Sequence, residues 1–410
     1  MTAVVPTSRL LAGWALDGRP EDLATHHRRH GPLPELGLDA LADRVDAAGL
    51  RGRGGGGFPT ARKLRAVAAH RRRPVVVANG CEGEPASQKD AALLACAPHL
   101  VLDGLVLAGR ALGATTAILA VHTAGHLREQ LAMRNDPIPI DLREVPARYV
   151  ASEETALVRF LSGGPATPTT SPPRPAERGV RGLPTLVDNV ETLAQLALVA
   201  RYGPEWFRSV GTPDLPGTLL VTAGGAIASP GVVEVPGGTP VRAVLDRAGG
   251  PTEPVQAVLS GGYGGAWLPV SAIDTPLTHA ALRRAGSSLG VPILLALPAR
   301  SCGLAQTAHL LHYLALQSAG QCGPCRFGLP AVTADLTAIA CGTRDAHDAH
   351  ARLLRRLDVV TGRGACALPD GAVRLARSAV TVFGTDLRHH LRGRPCVGAG
   401  DGPYFPLEAR

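Results

Sequence analysis

The apolar positions of the chain change their spacing three times. Leu38, Leu41, Val45 and Ala48 recur at helical intervals. Val75-Val-Val-Ala78 and Ala117 to Val121 are short apolar runs that predict buried strands, and the stretch Leu93 to Leu112 between them predicts a helix interrupted at Pro98. Strand, helix and strand at this spacing imply a parallel sheet. Tyr149-Val-Ala-Ser-Glu-Glu-Thr-Ala-Leu157 predicts a further helix, with Ser152 as its N-cap and Glu153 and Glu154 in its first turn. Residues 162–184, rich in Pro, Gly and Thr, predict a long functional loop, and Asp188-Asn-Val-Glu-Thr192 leads into an apolar helix.

Near Pro213 the pattern changes. From Gly217 to Pro298, short strands and Gly-rich turns surround one helix, Pro240 to Ala248, which predicts a small α+β unit. From Cys302 to His390 the pattern is helical. The expected organisation is an α/β unit over 1–213 with an N-terminal helical segment, an α+β unit over 214–300, a helical unit over 301–392 and a tail over 393–410. A length of 410 residues suits two or three such units.

Charge changes the picture little. The formal net charge is +8, but basic residues are scattered apart from Arg71-Arg72-Arg73 and His26 to His30. This reads as a solvated basic surface, and nucleic acid is not expected as a partner. Leu100 to Ala120 carries Asp103 and Arg110, so direct membrane insertion is not expected. Leu10 to Leu16 is short and interrupted by Gly13, so it does not read as a secretory signal. The eight cysteines are too few for a disulfide scaffold, and their late clustering suits a metal site in a reducing, cytoplasmic setting, at most peripheral to a membrane complex.

Three segments carry candidate chemistry. Gly52-Arg-Gly-Gly-Gly-Gly-Phe-Pro-Thr60 formally contains the dinucleotide fingerprint, but a helix precedes it and Pro59 follows, so it is not a Rossmann glycine turn. A glycine run can still cradle a phosphate with backbone N–H groups, with Lys63 nearby to neutralise it; a merely structural loop is the alternative. Asn79-Gly-Cys-Glu-Gly-Glu-Pro85 follows a predicted strand, where ligands of open parallel sheets bind; an ordinary polar turn is the alternative. Cys322 and Cys325 stand in C-x-x-C-Arg, followed by Cys366. Thiolates at such spacing hold iron–sulfur clusters, which take four ligands, yet Ala319 occupies the place of an expected fourth. A thioredoxin-type pair needs a preceding strand where the sequence predicts a helix, and a zinc site would need a distant ligand. The other five cysteines read as buried small hydrophobes or bystanders.

Together these segments resemble the flavoprotein (F) subunit of bacterial complex I, the NADH:quinone oxidoreductase. They equally resemble the related β subunits of NAD-linked hydrogenases and formate dehydrogenases. The glycine run resembles the family's FMN loop, Asn79 to Pro85 its N-A-D-E-G-E-P, and Tyr149 to Leu157 its Y-x-x-G-E-E-T-A-L. Pro184 to Thr192 resembles P-T-x-x-N-N-V-E-T, and the late cysteines S-C-G-x-C-x-P-C-R. The resemblance implies an α/β fold class: a Rossmann-like FMN domain, a β-grasp (SLBB-type) domain and a C-terminal helical bundle with a [4Fe–4S] cluster. It implies that NADH gives a hydride to FMN, whose electrons pass singly to the cluster and on to an iron–sulfur electron-acceptor subunit.

Carried over by residue, Gly52, Gly54 and Lys63 would hold the FMN phosphate, and Asn79 and Glu82 the flavin or its ribityl chain. Asn189 and Thr192 would close on FMN. Phe58, Glu84 and Glu154 would face NADH, with Glu153 between the two. Cys322, Cys325 and Cys366 would ligate the cluster, either as [3Fe–4S] or as [4Fe–4S] with an open iron, unless Ser318, Cys302 or Cys341 supplies the fourth ligand. The chain departs from the family pattern at Cys81, Ser152 and Asp188 around FMN, and at Ala66, Ser171 and Arg174 on the NADH side. A paralogue that keeps the architecture as an assembly or binding module is the alternative.

Overall fold

The structure, a computed structural model, describes residues 8–13 and 21–408. Trp14 to Leu16, part of the segment weighed as a secretory signal, lie outside the described residues. The first unit is built on a four-stranded parallel sheet in the order Ile140–Glu144, Ala117–Val121, Val75–Asn79, Thr185–Asn189. Its inner strands are buried runs of Val, Ile, Leu and Ala, as expected where helices cover a parallel sheet. Ile140–Glu144 escapes an apolar pattern because it is the edge: Asp141, Arg143 and Glu144 face partly into water and discourage further pairing.

The apolar stretch after the first strand is two helices, Lys89–Cys96 and Pro98–Leu112, meeting at 96°. Pro98 opens the second helix, where its missing N–H costs nothing. Pro98–Leu112 packs on Val190–Arg208 so closely that a Cβ on Gly104 would lie 1.9 Å from the carbonyl oxygen of Leu193. Among the described residues, no single helix is long and apolar enough to cross a membrane. The expected N-cap at Ser152 is corrected: Ser152 ends the short turn Tyr149–Ser152, and the Glu153 carboxylate caps Glu154–Leu161 by accepting from the Thr155 and Ala156 N–H groups at 3.0 Å. Glutamate wins because its charge also favours the helix N-terminus.

The second unit is a five-stranded mixed sheet in the order Ala266–Pro269, Val255–Ser260, Ile293–Pro298, Thr218–Gly225, Gly231–Pro236, with Val241–Arg247 as its main helix. Its first and last long strands, Thr218–Gly225 and Ile293–Pro298, run parallel, as in a β-grasp. A second short helix, His279–Arg284, was not legible in the Gly-rich pattern. The last unit consists of Gly303–Gln317, Leu329–Ala340, Ala346–Val360, Leu368–Val382 and Gly384–Leu391. The last two units share one core: Trp267 is 2 % exposed and packs edge-on against Phe383, and its Nε1 donates to Thr307 Oγ1 at 2.9 Å.

Candidate cofactor site

Asn79 and Asn189 end adjacent parallel strands and lie in register across them. Outside these carboxyl ends opens a cavity of about 320 Å³. Gly54, Asn79, Glu82, Glu84, Glu153 and Asn189 line it, so the glycine run and the acidic strand end converge on one space. Gly54 is needed here, since a Cβ would lie 3.1 Å from that of Asn189. Gly261, Gly264, Ser288 and Gly290 of the β-grasp unit close one wall, and Cys366 and Arg374 of the bundle contribute to another. All three units therefore build the site.

The floor is a buried polar network. Asn79 Nδ2 donates to the Ser152 carbonyl at 2.9 Å and its Oδ1 accepts from Cys81 N–H at 3.1 Å. Asn189 Nδ2 donates to Asp90 Oδ2 at 2.7 Å. Lys89, 1 % exposed, donates to Asp90 at 2.6 Å and to Glu191 and Asn189 at 3.1 Å. Burial opposes its charge, but the two carboxylates outweigh that and raise its pKa. Removing one partner from such a group strands a buried charge. Lys89 and Asp90 were missed in the sequence reading; the available signal was a Lys-Asp pair opening an otherwise apolar helix just after the acidic run.

The remaining acids are engaged. Glu82 accepts from Ser87 Oγ at 2.5 Å and from Ala91 N–H at 3.0 Å, and burial with the nearby Asp90 pushes its pKa up. Glu84 accepts from Tyr149 Oη at 2.6 Å and from Tyr263 N–H at 3.0 Å; its pKa is also pushed up by burial. Cys81 is buried and lines the cavity as a thiol, since burial raises its pKa.

Five expected residues lie off the cavity wall: Gly52, Phe58, Lys63, Glu154 and Thr192. Gly52 N–H donates to the Phe58 carbonyl at 2.9 Å and Thr192 Oγ1 accepts from Arg53 N–H at 2.9 Å, so both shape the glycine loop. Phe58 is 40 % exposed, with the Arg62 guanidinium 5.4 Å from its ring centre. Lys63 turns onto acids: its Nζ lies 2.9 Å from Glu154 and 3.6 Å from Asp188, and it donates to the Val187 carbonyl. Ala66, Ser171 and Arg174 are exposed. Asp188 is buried with Oδ2 unpartnered, and burial, outweighing Lys63, pushes its pKa up to about 6. The Asn79 carboxamide and Glu82, on a floor held by Lys89 and Asn189, suit the ring and hydroxyl groups of a flavin nucleotide. Lys63, expected at a phosphate, instead has its charge shared by two carboxylates.

Cys322, Cys325 and Cys366 face one another closely enough for their charges to interact. Burial, with its two neighbours, pushes Cys325 up to about 12. Burial opposes the Cys322 thiolate too, but hydrogen bonds at the Ala365 and Cys325 backbone outweigh it and bring it down. Of the candidates for a fourth ligand, the Ser318 hydroxyl lies beside Cys325. Cys341 is exposed at the end of another helix, and Cys302 groups with His390 and Cys396. Cys302 is buried in the core, as expected of a small hydrophobe, while its thiol also lies beside His390 and Cys396. The three thiols fit a cluster held by three thiolates.

Residues 45–198 match the Nuo51 FMN-binding domain, residues 220–265 the SLBB domain, and residues 305–390 the NADH-ubiquinone oxidoreductase-F iron-sulfur binding region. The chain is 31% identical to the F subunit of the NADH-quinone oxidoreductase of Streptomyces coelicolor over 392 residues, which cover 90% of this chain and 86% of the relative. Its identity to the F subunit of the Escherichia coli enzyme is also 31%, over 376 residues, with 86% and 84% covered. Among solved structures, the NAD+-reducing [NiFe]-hydrogenase in its H2-reduced state matches with a TM-score of 0.80 and 31% identity, over 97% of this chain and 69% of that one. Its air-oxidized state matches with the same TM-score over 91% and 65%, so the chain spans about two thirds of that hydrogenase chain.

Proposed function

Because the chain belongs to the family of NADH-quinone oxidoreductase F subunits, we propose that it is the electron-entry subunit of an oxidoreductase complex. It binds FMN in the strand-end cavity, oxidises NADH or a related donor, and passes electrons through an iron–sulfur cluster to an iron–sulfur partner subunit. The observation that carries this reading is Cys366: it lines the cavity and also faces Cys322 and Cys325, so the two cofactor sites share a wall.

When bound, FMN accepts two electrons as a hydride and releases them singly, which is the chemistry needed between a nicotinamide and a one-electron cluster. The residues of this chain position that exchange. Asn79 keeps one amide proton free at the strand end, Lys89 and Asp90 hold Asn189 in place beside it, and Gly54 lets the backbone come close. Glu153 lines the same cavity as Cys366, and its charge disfavours the Cys366 thiolate. Cys322, Cys325 and Cys366 would hold the cluster, with the Ser318 hydroxyl beside Cys325.

The alternative is an assembly or binding module without the full cofactor set. Ala319 and the pairing of Lys63 with Asp188 favour it. Anaerobic titration with NADH separates the two. The electron-transfer reading predicts that NADH bleaches the flavin absorbance and that a cluster signal then changes in electron paramagnetic resonance. A flavin that dithionite reduces and NADH leaves oxidised would rule out NADH as the donor.

A further inference from the structure

Cys302 meets His390, 88 residues later in the chain, and the nearby Cys396. Cys302 caps Gly303–Gln317, its Sγ accepting from Ala305 N–H at 3.4 Å. His390 belongs to the last turn of Gly384–Leu391, and Cys396 opens the turn Val397–Gly400. Cys302 and His390 are fully buried and Cys396 partly so. We propose that these three side chains bind a zinc ion that fastens the C-terminal segment to the helical bundle.

The distances are those of a metal polyhedron. His390 Nε2 lies 3.8 Å from Cys302 Sγ and 3.3 Å from Cys396 Sγ, and all three atoms lie within 4.8 Å of one another. Zinc–sulfur and zinc–nitrogen bonds of ordinary length, set tetrahedrally, put nitrogen and sulfur about 3.6 Å apart. The imidazole is prepared as a ligand. Its Nδ1 donates to the Ala340 carbonyl at 2.8 Å, which fixes the tautomer and leaves the Nε2 lone pair facing both sulfurs. That lone pair now accepts the Cys396 N–H at 3.1 Å, a single contact that a metal bond would replace.

Two thiolates and an imidazole suit zinc and disfavour magnesium or calcium, which prefer oxygen. The partly exposed side at Cys396 leaves the fourth position to water. The purpose follows from what comes next in the chain. Gly398 packs onto the start of Gly303–Gln317, where a Cβ would fall 2.7 Å from the Cys302 nitrogen. Tyr404 N–H then donates to Gln306 at 2.7 Å, and Tyr263 donates to the Pro406 carbonyl. A metal at Cys396 holds the base of this strap.

The test uses cobalt as a spectroscopic stand-in, added anaerobically to metal-free protein. The expected result is thiolate-to-cobalt charge transfer and tetrahedral d–d bands at one equivalent, displaced by zinc. They should persist in Cys366→Ser and be lost in Cys396→Ser. Zinc should raise the melting temperature of the natural chain and leave that of Cys396→Ser unchanged. Cobalt bands that follow Cys366 instead, or no binding while thiol titration shows both thiols free, would overturn the site. A Cys302–Cys396 disulfide in freshly isolated protein would overturn it as well.

Discussion

Asp188 is the residue at which this chain departs most consequentially around its cavity. It stands where the family pattern has asparagine, buried, with one oxygen 3.6 Å from Lys63 and the other unpartnered. Its folded pKa of about 6 is above the ordinary 3.8. As pH rises through that window, the folded chain keeps a proton that the unfolded chain has already lost. Asp188 therefore becomes progressively destabilising up to about pH 6, by about 3 kcal/mol in all, and stays so above it. Below that pH its neutral carboxyl leaves Lys63 to Glu154 alone. Asp188→Asn should thus stabilise the fold and tighten FMN binding several-fold at about pH 7.5, with both gains shrinking at about pH 5. Chemical denaturation and FMN titration at the two pH values check this. Gains that do not depend on pH would show that the carboxyl charge is not the cause. The substitution itself is visible in the sequence. Its pairing with Lys63 is not, because it arises from how Thr60–Ala68 crosses Thr185–Asn189 in space.

At the scale of elements, the cluster segment shows how little chain is needed to assemble three thiols. Gly303–Gln317 ends just before Ser318 and Ala319, and the π-turn Pro324–Gly328 turns Cys325 inward. Turns of this kind are frequent at functional sites. Cys366 arrives from the turn before Leu368–Val382. The position of Ala319 in this segment makes it the natural place for a fourth thiolate. Ala319→Cys should raise the iron content of anaerobically purified protein, from about three toward about four per chain if the natural site holds a three-iron cluster. Iron analysis and electron paramagnetic resonance measure it, and no change in either would mean that the site is already complete or never fills. The long helices and apolar strands were legible because their periodicity is strong. The edge strand Ile140–Glu144 was not, because its charged residues follow no apolar period. The Glu153 cap was misassigned by one residue, since two neighbouring side chains could each cap the same helix.

Across the whole molecule, the family motifs are separate words in the sequence that the fold makes into one cavity. Parallel strand ends bring Asn79 beside Asn189, and the β-grasp unit closes the wall through Gly261 and Gly290. Glu84, held by Tyr149 of its own unit, ties the first two units together by accepting from the Tyr263 backbone. That convergence could be anticipated only through the resemblance, because no local pattern states which turns face each other. The same holds for Cys302, His390 and Cys396, whose spacing in the chain matches no metal motif.

The account rests on this cavity holding a flavin beside a three-thiolate cluster site. Quantifying FMN and iron per chain in protein purified without oxygen tests it most directly. The expected result is a yellow-brown protein carrying about one FMN and about three to four iron atoms. A colourless protein that stays free of flavin and iron when both are supplied would contradict it.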